Sequence, residues 1–339
     1  MSAPGRPKRE YRSAQREGNP ANPPGRPKRE YRSAQREGNP ANASGRRVGV
    51  IGTGAMGGGV VQSLVRAGVA TSARDIRDEA QALAVRHGAA PTFSPADLAR
   101  ACEVIVLLVV DAAQIETVLF GADGVTTAGS SKRIVLVSST VDPAYVAALA
   151  PRLVAHGIAL LDAPVSGGPA KATAGTMTMM VSGDAEAFAQ VRAMLEQITG
   201  RLFALGPRPG DASTFKIVNN LLAAANLAAG AEALALARAA GLDLRPVFDV
   251  VAASSGASWM FGDRVPRALA GDYAPRAAAK LLDKDSGIAA ALADRLHVDA
   301  PFTRLAHRAF AAAVAEGCGD EDDAVLIRRA LESVQPPEG

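Results

Sequence analysis

Lys216 and Asn220 are the first candidates for chemistry, because both lie in a largely apolar stretch between residues 212 and 240. Their spacing of four residues places them on one face of a helix. A lysine that faces a semi-apolar cleft loses solvation, which lowers the pKa of its ammonium group, and the neutral amine can then act as a general base for an alcohol. Taken alone, the spacing favours another interpretation. In it, the aliphatic part of Lys216 covers an apolar surface, its ammonium group reaches water, and Asn220 is an ordinary surface amide.

A second candidate is the segment Ser166-Gly167-Gly168, within the sequence LDAPVSGGPA of residues 161–170. The serine hydroxyl and the exposed backbone N–H groups of the two glycines can bind a carboxylate. An ordinary serine–glycine turn has the same composition, and the segment taken alone favours that interpretation. Both candidates therefore need a wider pattern before they indicate a reaction.

The wider pattern begins with a G-x-G-x-x-G motif between a predicted strand, Val48–Ile51, and a predicted helix over residues 55–67. The first glycine permits a tight turn, the second lets the backbone approach a pyrophosphate, and the third allows the helix to pack closely on the strand. The N–H groups at the start of the helix would bind the phosphates. In this context the motif predicts a dinucleotide site. Its contacts are assigned to Gly52, Thr53, Gly54, Ala55, Met56 and Gly57.

Asp75 lies 23 residues after Gly52, near the end of the second predicted strand. A carboxylate at this place can accept hydrogen bonds from the adenosine ribose and would repel a 2′-phosphate, so it favours NAD as the cofactor. Arg74 and Arg77 flank Asp75 and could reach a phosphate. NADP therefore stays open.

Four motifs in order, G-x-G-x-M-G, D-A-P-V-S-G-G, G-T-M-T-M-M and K-x-x-N-N, resemble the β-hydroxyacid dehydrogenase family over residues 48 to about 331. The resemblance implies that Lys216 is the catalytic lysine and that Asn220 positions the substrate. It also implies that Ser166 and the two glycines after it hold the substrate carboxylate. The further cofactor contacts that it implies are Leu108, Val109, Thr140 and Lys284.

The C-terminal half is similar to the L-threonate dehydrogenase branch of that family, through S-W-M-F at residues 258–261, R-V-P at 264–266 and A-G-D-Y at 270–273. This resemblance implies oxidation of L-threonate at C2 to a 2-oxo acid. The chain departs from the branch at Asp111 and Ala257, where asparagine is usual, and at Ser286, where leucine is usual. Oxidation of 3-hydroxyisobutyrate at C3, or reduction of tartronate or succinic semialdehyde, therefore remains an alternative.

The elements that must position these residues follow a βαβ pattern. Apolar runs bounded by turn signals predict buried parallel strands, and helical segments alternate with them. The predicted strands are residues 48–51, 69–76, 104–110, 134–138, 158–162, 176–181 and 201–205, with helices over 55–67 and 78–87. After Gly206 only helical patterns follow, beginning with one long helix over residues 212–240 that is apolar on most of its circumference and so should be buried.

The sequence thus predicts an α/β Rossmann-like domain over residues 45–207, joined by the long helix to an all-α domain over 208–339 that serves substrate binding and dimerisation. Residues 1–44 precede both and contain a perfect 18-residue repeat, at 5–22 and 25–42, rich in Pro, Gly, Asn and Arg. Neither copy has an apolar face to bury, so this tail is predicted to be disordered. The tail has a net charge of +6 and the whole chain a net charge of +3, so the rest of the chain has a net charge of −3.

A basic tail of this kind could tether the protein to nucleic acid, and a cofactor-binding protein of that class is the alternative to an enzyme. The retained Lys216 favours the enzyme, and the acidic body gives no sign of a nucleic-acid surface. Cys102 and Cys318 have no metal-type spacing, so no metal is expected, and they fit a reducing, cytoplasmic compartment. No predicted segment spans a membrane. The apolar helices suggest a homodimer or homotetramer.

Overall fold

The computed structural model describes residues 45–129 and 132–334, and the predicted disorder of residues 1–44 lies outside this part of the chain. The strands are β1 (Val48–Ile51), β2 (Thr71–Arg74), β3 (Ala90–Pro91), β4 (Val104–Leu107), β5 (Arg133–Val137), β6 (Ile158–Asp162), β7 (Val165–Ser166), β8 (Met177–Gly183) and β9 (Thr199–Ala204). The first seven α-helices are α1 (Ala55–Arg66), α2 (Asp78–Arg86), α3 (Pro95–Ala101), α4 (Ala112–Phe120), α5 (Pro143–Val154), α6 (Gly168–Ala174) and α7 (Ala185–Ile198). The others are α8 (Asp211–Ala239), α9 (Leu244–Ala252), α10 (Trp259–Leu269), α11 (Ala279–Arg295), α12 (Pro301–Ala313) and α13 (Val325–Glu332).

The sheet reverses its strand order between β1 and β4. Strands β3, β2, β1, β4, β5 and β6 are adjacent in this order and parallel, while β8 runs antiparallel to β6 and β7 and parallel to β9. Ile51 pairs with Leu107, so β1 and β4 end at the same level. In open α/β sheets, ligands bind outside the carboxyl ends of the strands at such a reversal. The residues that follow β1 and β4 are therefore well placed for a ligand.

The parallel strands are buried on both faces, as their continuous apolar runs predict. Val50 and Val106 pack into one core with helix α1, whereas Ile105 and Val135 pack into a second core on the opposite face. The predicted Rossmann-like domain followed by an all-α domain is confirmed in the described part of the chain.

Helix α8 is apolar on most of its circumference and was predicted to be buried, but only one of its faces is buried in the helical core. Ala224, Leu227 and Leu234 are buried in the core shared with α10 to α13. Four apolar side chains on the other face are exposed to solvent: Phe215, Val218, Leu222 and Leu236. A helix on the edge of a domain buries only the stripe that faces its neighbours, whatever its composition. By length and composition α8 would also suffice to cross a membrane, but its packing in this core accounts for its apolar residues.

Candidate active site

The glycine turn after β1 has the geometry of a phosphate-binding loop. Gly52 has φ +87°, and a Cβ at this position would lie 2.6 Å from the carbonyl oxygen of Leu108. A Cβ on Gly57 would lie 1.9 Å from the carbonyl oxygen of Gly52, so helix α1 touches the turn itself. Gly54 caps α1 without any side chain, which leaves the first-turn N–H groups free for an anion. The turn therefore fits a dinucleotide pyrophosphate, which would need this close backbone approach.

Asp75 follows β2 and points back at this turn. One carboxylate oxygen accepts a hydrogen bond from Thr53 N at 2.7 Å, and the other accepts from Arg77 N at 2.9 Å and Arg77 Nε at 3.2 Å. Burial alone would raise the pKa of Asp75, but the hydrogen bonds from Arg77 and Thr53 outweigh it and lower the pKa. Arg77 Nη2 lies 3.1 Å from the place of a Cβ on Gly54, so the guanidinium group reaches across the edge of the turn.

The other predicted cofactor contacts lie along the same edge of the sheet. Leu108 and Val109 follow β4, are partly buried and lie directly against Gly52. Thr140 follows β5, and its carbonyl oxygen accepts a hydrogen bond from the ammonium group of Lys284 on α11. This bond brings a residue of the helical domain to the cofactor edge of the Rossmann-like domain.

The segment predicted to hold a carboxylate forms a short strand and the start of a helix. Ser166 ends β7, where it pairs with Thr178 of β8. Gly167 has φ +125° and Gly168 has φ +76°, conformations that side chains rarely adopt. A Cβ on Gly168 would meet nothing within 4 Å, so its backbone is open on that side. Gly168, the first residue of α6, is therefore open on that side, whereas a Cβ on Gly167 would lie 2.8 Å from the Lys171 side chain.

Helix α6 connects this segment with the cofactor helix. The Ser63 hydroxyl of α1 donates to the carbonyl oxygen of Ala172 at 2.6 Å. A Cβ on Gly59 would lie 2.8 Å from that of Ala172, so the two helices touch almost backbone to backbone. The glycine turn and the carboxylate segment thus lie at the N-termini of two helices that pack closely together.

Lys216 and Asn220 share the buried face of α8, with exposed fractions of 8% and 7%. Asn220 Nδ2 donates to Asp285 Oδ2 on α11 at 2.6 Å, and Lys284 Nζ lies 2.7 Å from Asp285 Oδ1. Burial lowers the pKa of Lys216, the charge of Asp285 raises it and the charge of Lys284 lowers it, with a net lowering. A buried amine with a lowered pKa can exchange a proton with a nearby alcohol.

Asp285 is a site residue that the sequence did not reveal. It is 6% exposed and contacts both Asn220 and Lys284, so it joins two predicted site residues. Its position directly after Lys284 was the available signal, but the contact with Asn220 joins residues 65 apart in sequence. Only the packing of α11 against α8 brings them together.

Trp259, the tryptophan of the S-W-M-F motif, begins α10 and is 56% exposed. Lys171 Nζ lies 5.9 Å from its ring centroid and Arg264 Cζ lies 5.6 Å from it, within the range of cation–π contacts. Lys171 belongs to α6, so the indole contacts the helix that follows the carboxylate segment. Among residues 45–129 and 132–334, no three His, Cys, Asp or Glu side chains are arranged to hold a metal ion.

Two protein families match the two parts of this chain. Residues 47–206 match the NAD binding domain of 6-phosphogluconate dehydrogenase, and residues 210–330 match the family described as NAD-binding of NADP-dependent 3-hydroxyisobutyrate dehydrogenase. The L-threonate dehydrogenase of Cupriavidus necator is 44% identical over 283 residues, which are 84% of this chain and 95% of that enzyme. The 3-hydroxyisobutyrate dehydrogenase of Pseudomonas aeruginosa is 33% identical over 270 residues, 78% of this chain and 90% of that enzyme.

A solved structure leads to the same family. The crystal structure of 3-hydroxyisobutyrate dehydrogenase from Salmonella typhimurium matches with a TM-score of 0.78 and 39% identity, over 84% of this chain and 99% of that one. The glycine turn, the two-domain fold and these relatives agree on an oxidoreductase with an NAD-type cofactor. The chain belongs to the NAD-dependent hydroxyacid dehydrogenase family that includes 3-hydroxyisobutyrate dehydrogenase and L-threonate dehydrogenase.

Proposed function

We propose that this protein oxidises L-threonate at C2 to the 2-oxo acid, with NAD⁺ as the oxidant and Lys216 as the general base. The observation that carries the proposal is the buried Lys216, whose pKa burial lowers and whose neighbour Asn220 is held by Asp285. The L-threonate dehydrogenases of Cupriavidus necator and Escherichia coli K12, at 44% and 40% identity, support the choice of substrate.

The proposed roles follow from the chemistry of each group. Ser166, Gly167 and Gly168 bind the substrate carboxylate through the serine hydroxyl and the backbone N–H groups of the glycines. Neutral Lys216 removes the proton from the C2 hydroxyl, and Asn220 orients that hydroxyl through its amide. When bound, NAD⁺ accepts the hydride that leaves C2. The alcohol thus loses one proton to Lys216 Nζ and one hydride to the cofactor, which leaves a ketone.

The charges around Lys216 suit this direction. Lys284 on α11 places a second positive charge near the site, which disfavours a charged Lys216. Asp285 opposes this effect, so the amine keeps enough basicity to accept a proton. A general base works best when its pKa lies near the working pH, and burial moves an ordinary lysine in that direction.

A substrate panel tests the proposal. Initial rates of NADH formation are measured with L-threonate, D-threonate, L-erythronate, 3-hydroxyisobutyrate, glycerate and L-serine, and NADH consumption with tartronate and succinic semialdehydes. We expect the highest kcat/KM with L-threonate, and the product should react as a 2-oxo acid. A higher kcat/KM with 3-hydroxyisobutyrate or with a semialdehyde would replace L-threonate by that substrate. Activity with none of them, together with salt-dependent DNA binding that needs residues 1–44, would favour a cofactor-binding protein that its tail tethers to nucleic acid.

Asp75 is proposed to give the enzyme its preference for NAD⁺ over NADP⁺, because an ionised carboxylate at the ribose end repels a 2′-phosphate. We expect Asp75→Ala to narrow this preference, since the repulsion is lost and Arg77 is released from its ion pair. The measurement is the ratio of kcat/KM for the two cofactors. Arg77→Ala in the Asp75→Ala background should lose the gained NADP⁺ activity. Equal or better activity of the unmutated protein with NADP⁺ would contradict the assignment.

We also propose that the chain forms a homodimer or homotetramer. The support is the exposed apolar face of α8, where Phe215 and Leu222 are seven residues apart and Val218 lies between them on the same side. Exposed apolar area of this kind on a regular helix usually has a partner in the assembled protein.

A further inference from the structure

Asp162 is a buried carboxylate at the end of β6, and it lies outside the groups to which a role has been given. It is fully buried, and its side chain accepts hydrogen bonds from four donors in the described part of the chain. Asp162 Oδ2 accepts from Gly210 N at 2.9 Å, from Ser213 N at 2.8 Å and from the Ser182 hydroxyl at 3.4 Å. Asp162 Oδ1 accepts from the Ser213 hydroxyl at 2.7 Å. Burial raises the pKa of Asp162, and these hydrogen bonds oppose that rise.

Apart from the Ser182 hydroxyl of β8, these donors lie at the N-terminus of α8. Gly210 is the N-cap residue of the helix, with φ +96°, and it has no side chain that could cap the helix itself. Asp162 on strand β6 caps the helix instead, by accepting from Gly210 N and Ser213 N. The Ser182 hydroxyl of β8 accepts from Ala212 N at 3.0 Å. Asp162 and Ser182 are partners in the antiparallel pair of β6 and β8. The sheet therefore caps α8, and the negative charge also suits the positive end of the helix dipole.

The bonds of Asp162 act on the face of α8 that carries Lys216. Ser213, Lys216 and Asn220 are spaced by three and four residues, so they share one face, and all three are buried. Ser213 is bound to Asp162 on the side of the Rossmann-like domain, and Asn220 is bound to Asp285 on the side of the helical domain. Lys216 lies between these two hydrogen-bonded residues. A rotation of α8 about its axis, or a shift along it, would therefore break one of the two hydrogen bonds.

Asp162 also lies at the start of the segment that is proposed to hold the substrate carboxylate. It is four residues before Ser166, with Pro164 between them, and Met180 N donates to the Pro164 carbonyl at 3.0 Å. Asp162 therefore contacts the helix that carries the proposed base, and it lies four residues before the segment of the proposed carboxylate site. The distance between these two groups decides whether the substrate hydroxyl meets Lys216.

We propose that Asp162 is a positioning residue, which sets the place of Lys216 relative to Ser166, Gly167 and Gly168 by capping helix α8 from the sheet. The inference rests on the proposed function of Lys216. Catalysis by a positioned base is sensitive to small shifts, and a misplacement of about 1 Å can cost on the order of 100-fold in rate. A residue that never touches the substrate can therefore control kcat.

The test compares Asp162→Asn with Asp184→Asn. Asp184 also caps a helix, since its Oδ1 accepts from Ala187 N at 2.6 Å at the start of α7, but that helix carries none of the site residues. We expect Asp162→Asn to lower kcat by about 10-fold to 100-fold, and the C2-deuterium isotope effect on kcat should rise as hydride transfer becomes slower. The Kd for NAD⁺ should change by less than about twofold, since the glycine turn is untouched. Asp184→Asn should leave kcat and the isotope effect unchanged.

Amide hydrogen exchange supplies a readout that does not need turnover. Exchange of residues 211–216 should become faster in Asp162→Asn and stay unchanged in Asp184→Asn, because only the first variant removes the negative charge and one acceptor oxygen from the cap of α8. Faster exchange with an unchanged kcat would show that Asp162 only supports the fold, and would overturn the inference. A fall in kcat that is matched by the same loss of NAD⁺ affinity would also overturn it, because it would indicate general loosening.

Two further variants separate the possible failures. If Asp162→Asn does not fold, Ser213→Ala removes the Oδ1 contact but keeps both backbone donors, and it should still lower kcat by a smaller factor at unchanged Kd for NAD⁺. An unchanged kcat in Ser213→Ala would then contradict the inference. Lys216→Ala is measured in the same series, on the best substrate of the panel. If Lys216→Ala is as active as the unmutated protein, the proposed function fails, whereas an inactive Lys216→Ala beside a fully active Asp162→Asn refutes only the positioning role.

Discussion

Lys216→Ala is expected to lower kcat by about 100-fold or more, the usual scale for loss of a positioned proton-transfer group. Lys284, the other lysine at this site, is bound between Asp285 and the Thr140 carbonyl and so does not take the place of the buried amine. The measurement is kcat with the best substrate of the panel at saturating NAD⁺. Lys216→Arg should recover little activity, because a guanidinium group stays charged and cannot act as a base.

Lys280→Ala is the matched control, because this lysine also lies on a helix of the C-terminal domain but forms an exposed ion pair with Asp320. It should leave kcat unchanged. The Kd for NAD⁺ should change little in Lys216→Ala, since the pyrophosphate would be bound at the glycine turn. A near-normal kcat in Lys216→Ala would refute the mechanism but leave the fold and family as they are, and Lys284 would become the next candidate.

The dependence of kcat on pH tests the role of Lys216 independently. Burial lowers the pKa of Lys216, so the limb of the oxidation profile should lie below the ordinary lysine value of about 10.4. Oxidation needs the neutral amine, and kcat should therefore rise as pH increases through this limb. Asp285→Asn removes a charge that raises the pKa of Lys216, so it should move the limb to lower pH. A shift to higher pH would contradict this account of the electrostatics.

Gly57→Ala is expected to weaken NAD⁺ binding by about 100-fold, because the new methyl group would lie 1.9 Å from the Gly52 carbonyl oxygen. The oxygen belongs to the backbone of the glycine turn, so the clash can be relieved only if the turn moves away from helix α1. Both parts are needed for the pyrophosphate, and their separation removes the close backbone approach. The Kd is measured by titration calorimetry, with the melting temperature recorded on the same sample.

Gly58→Ala is the control for this substitution, since it adds the same methyl group to the next residue of α1. Its Cβ would meet only the Thr53 carbonyl oxygen, at 3.2 Å, and alanine is the better helix former. We expect the Kd for NAD⁺ to change by less than about threefold. Equal Kd values for Gly57→Ala and the unmutated protein would show that the turn can relax, and that the cofactor does not depend on this contact.

Local periodicity predicted seven of the nine described strands and the helices α1, α2 and α8, because each is determined by the burial pattern of neighbouring residues. No bounds were predicted for α3, α4, α5 and α7. The predicted strand 158–162 coincides with β6, and the predicted helix 212–240 differs from α8 by one residue at each end. Strands β3 and β7 were missed, since two residues have no periodicity. Helix α6 was missed because its first residues, Gly168 and Pro169, are typical of a turn.

The sequence by itself determined the glycine turn, the carboxyl end of β2 with Asp75, and the shared face of Lys216 and Asn220, since spacing along one strand or helix decides each of them. Only the tertiary structure decided which groups hold that face. Asp162 reaches Ser213 across 51 residues of sequence, and Asp285 reaches Asn220 across 65. A carboxylate in sequence can be exposed, can cap its own helix or can cap another one, and the choice depends on which elements pack beside it. The packing of β6 and α11 against α8 made that choice here.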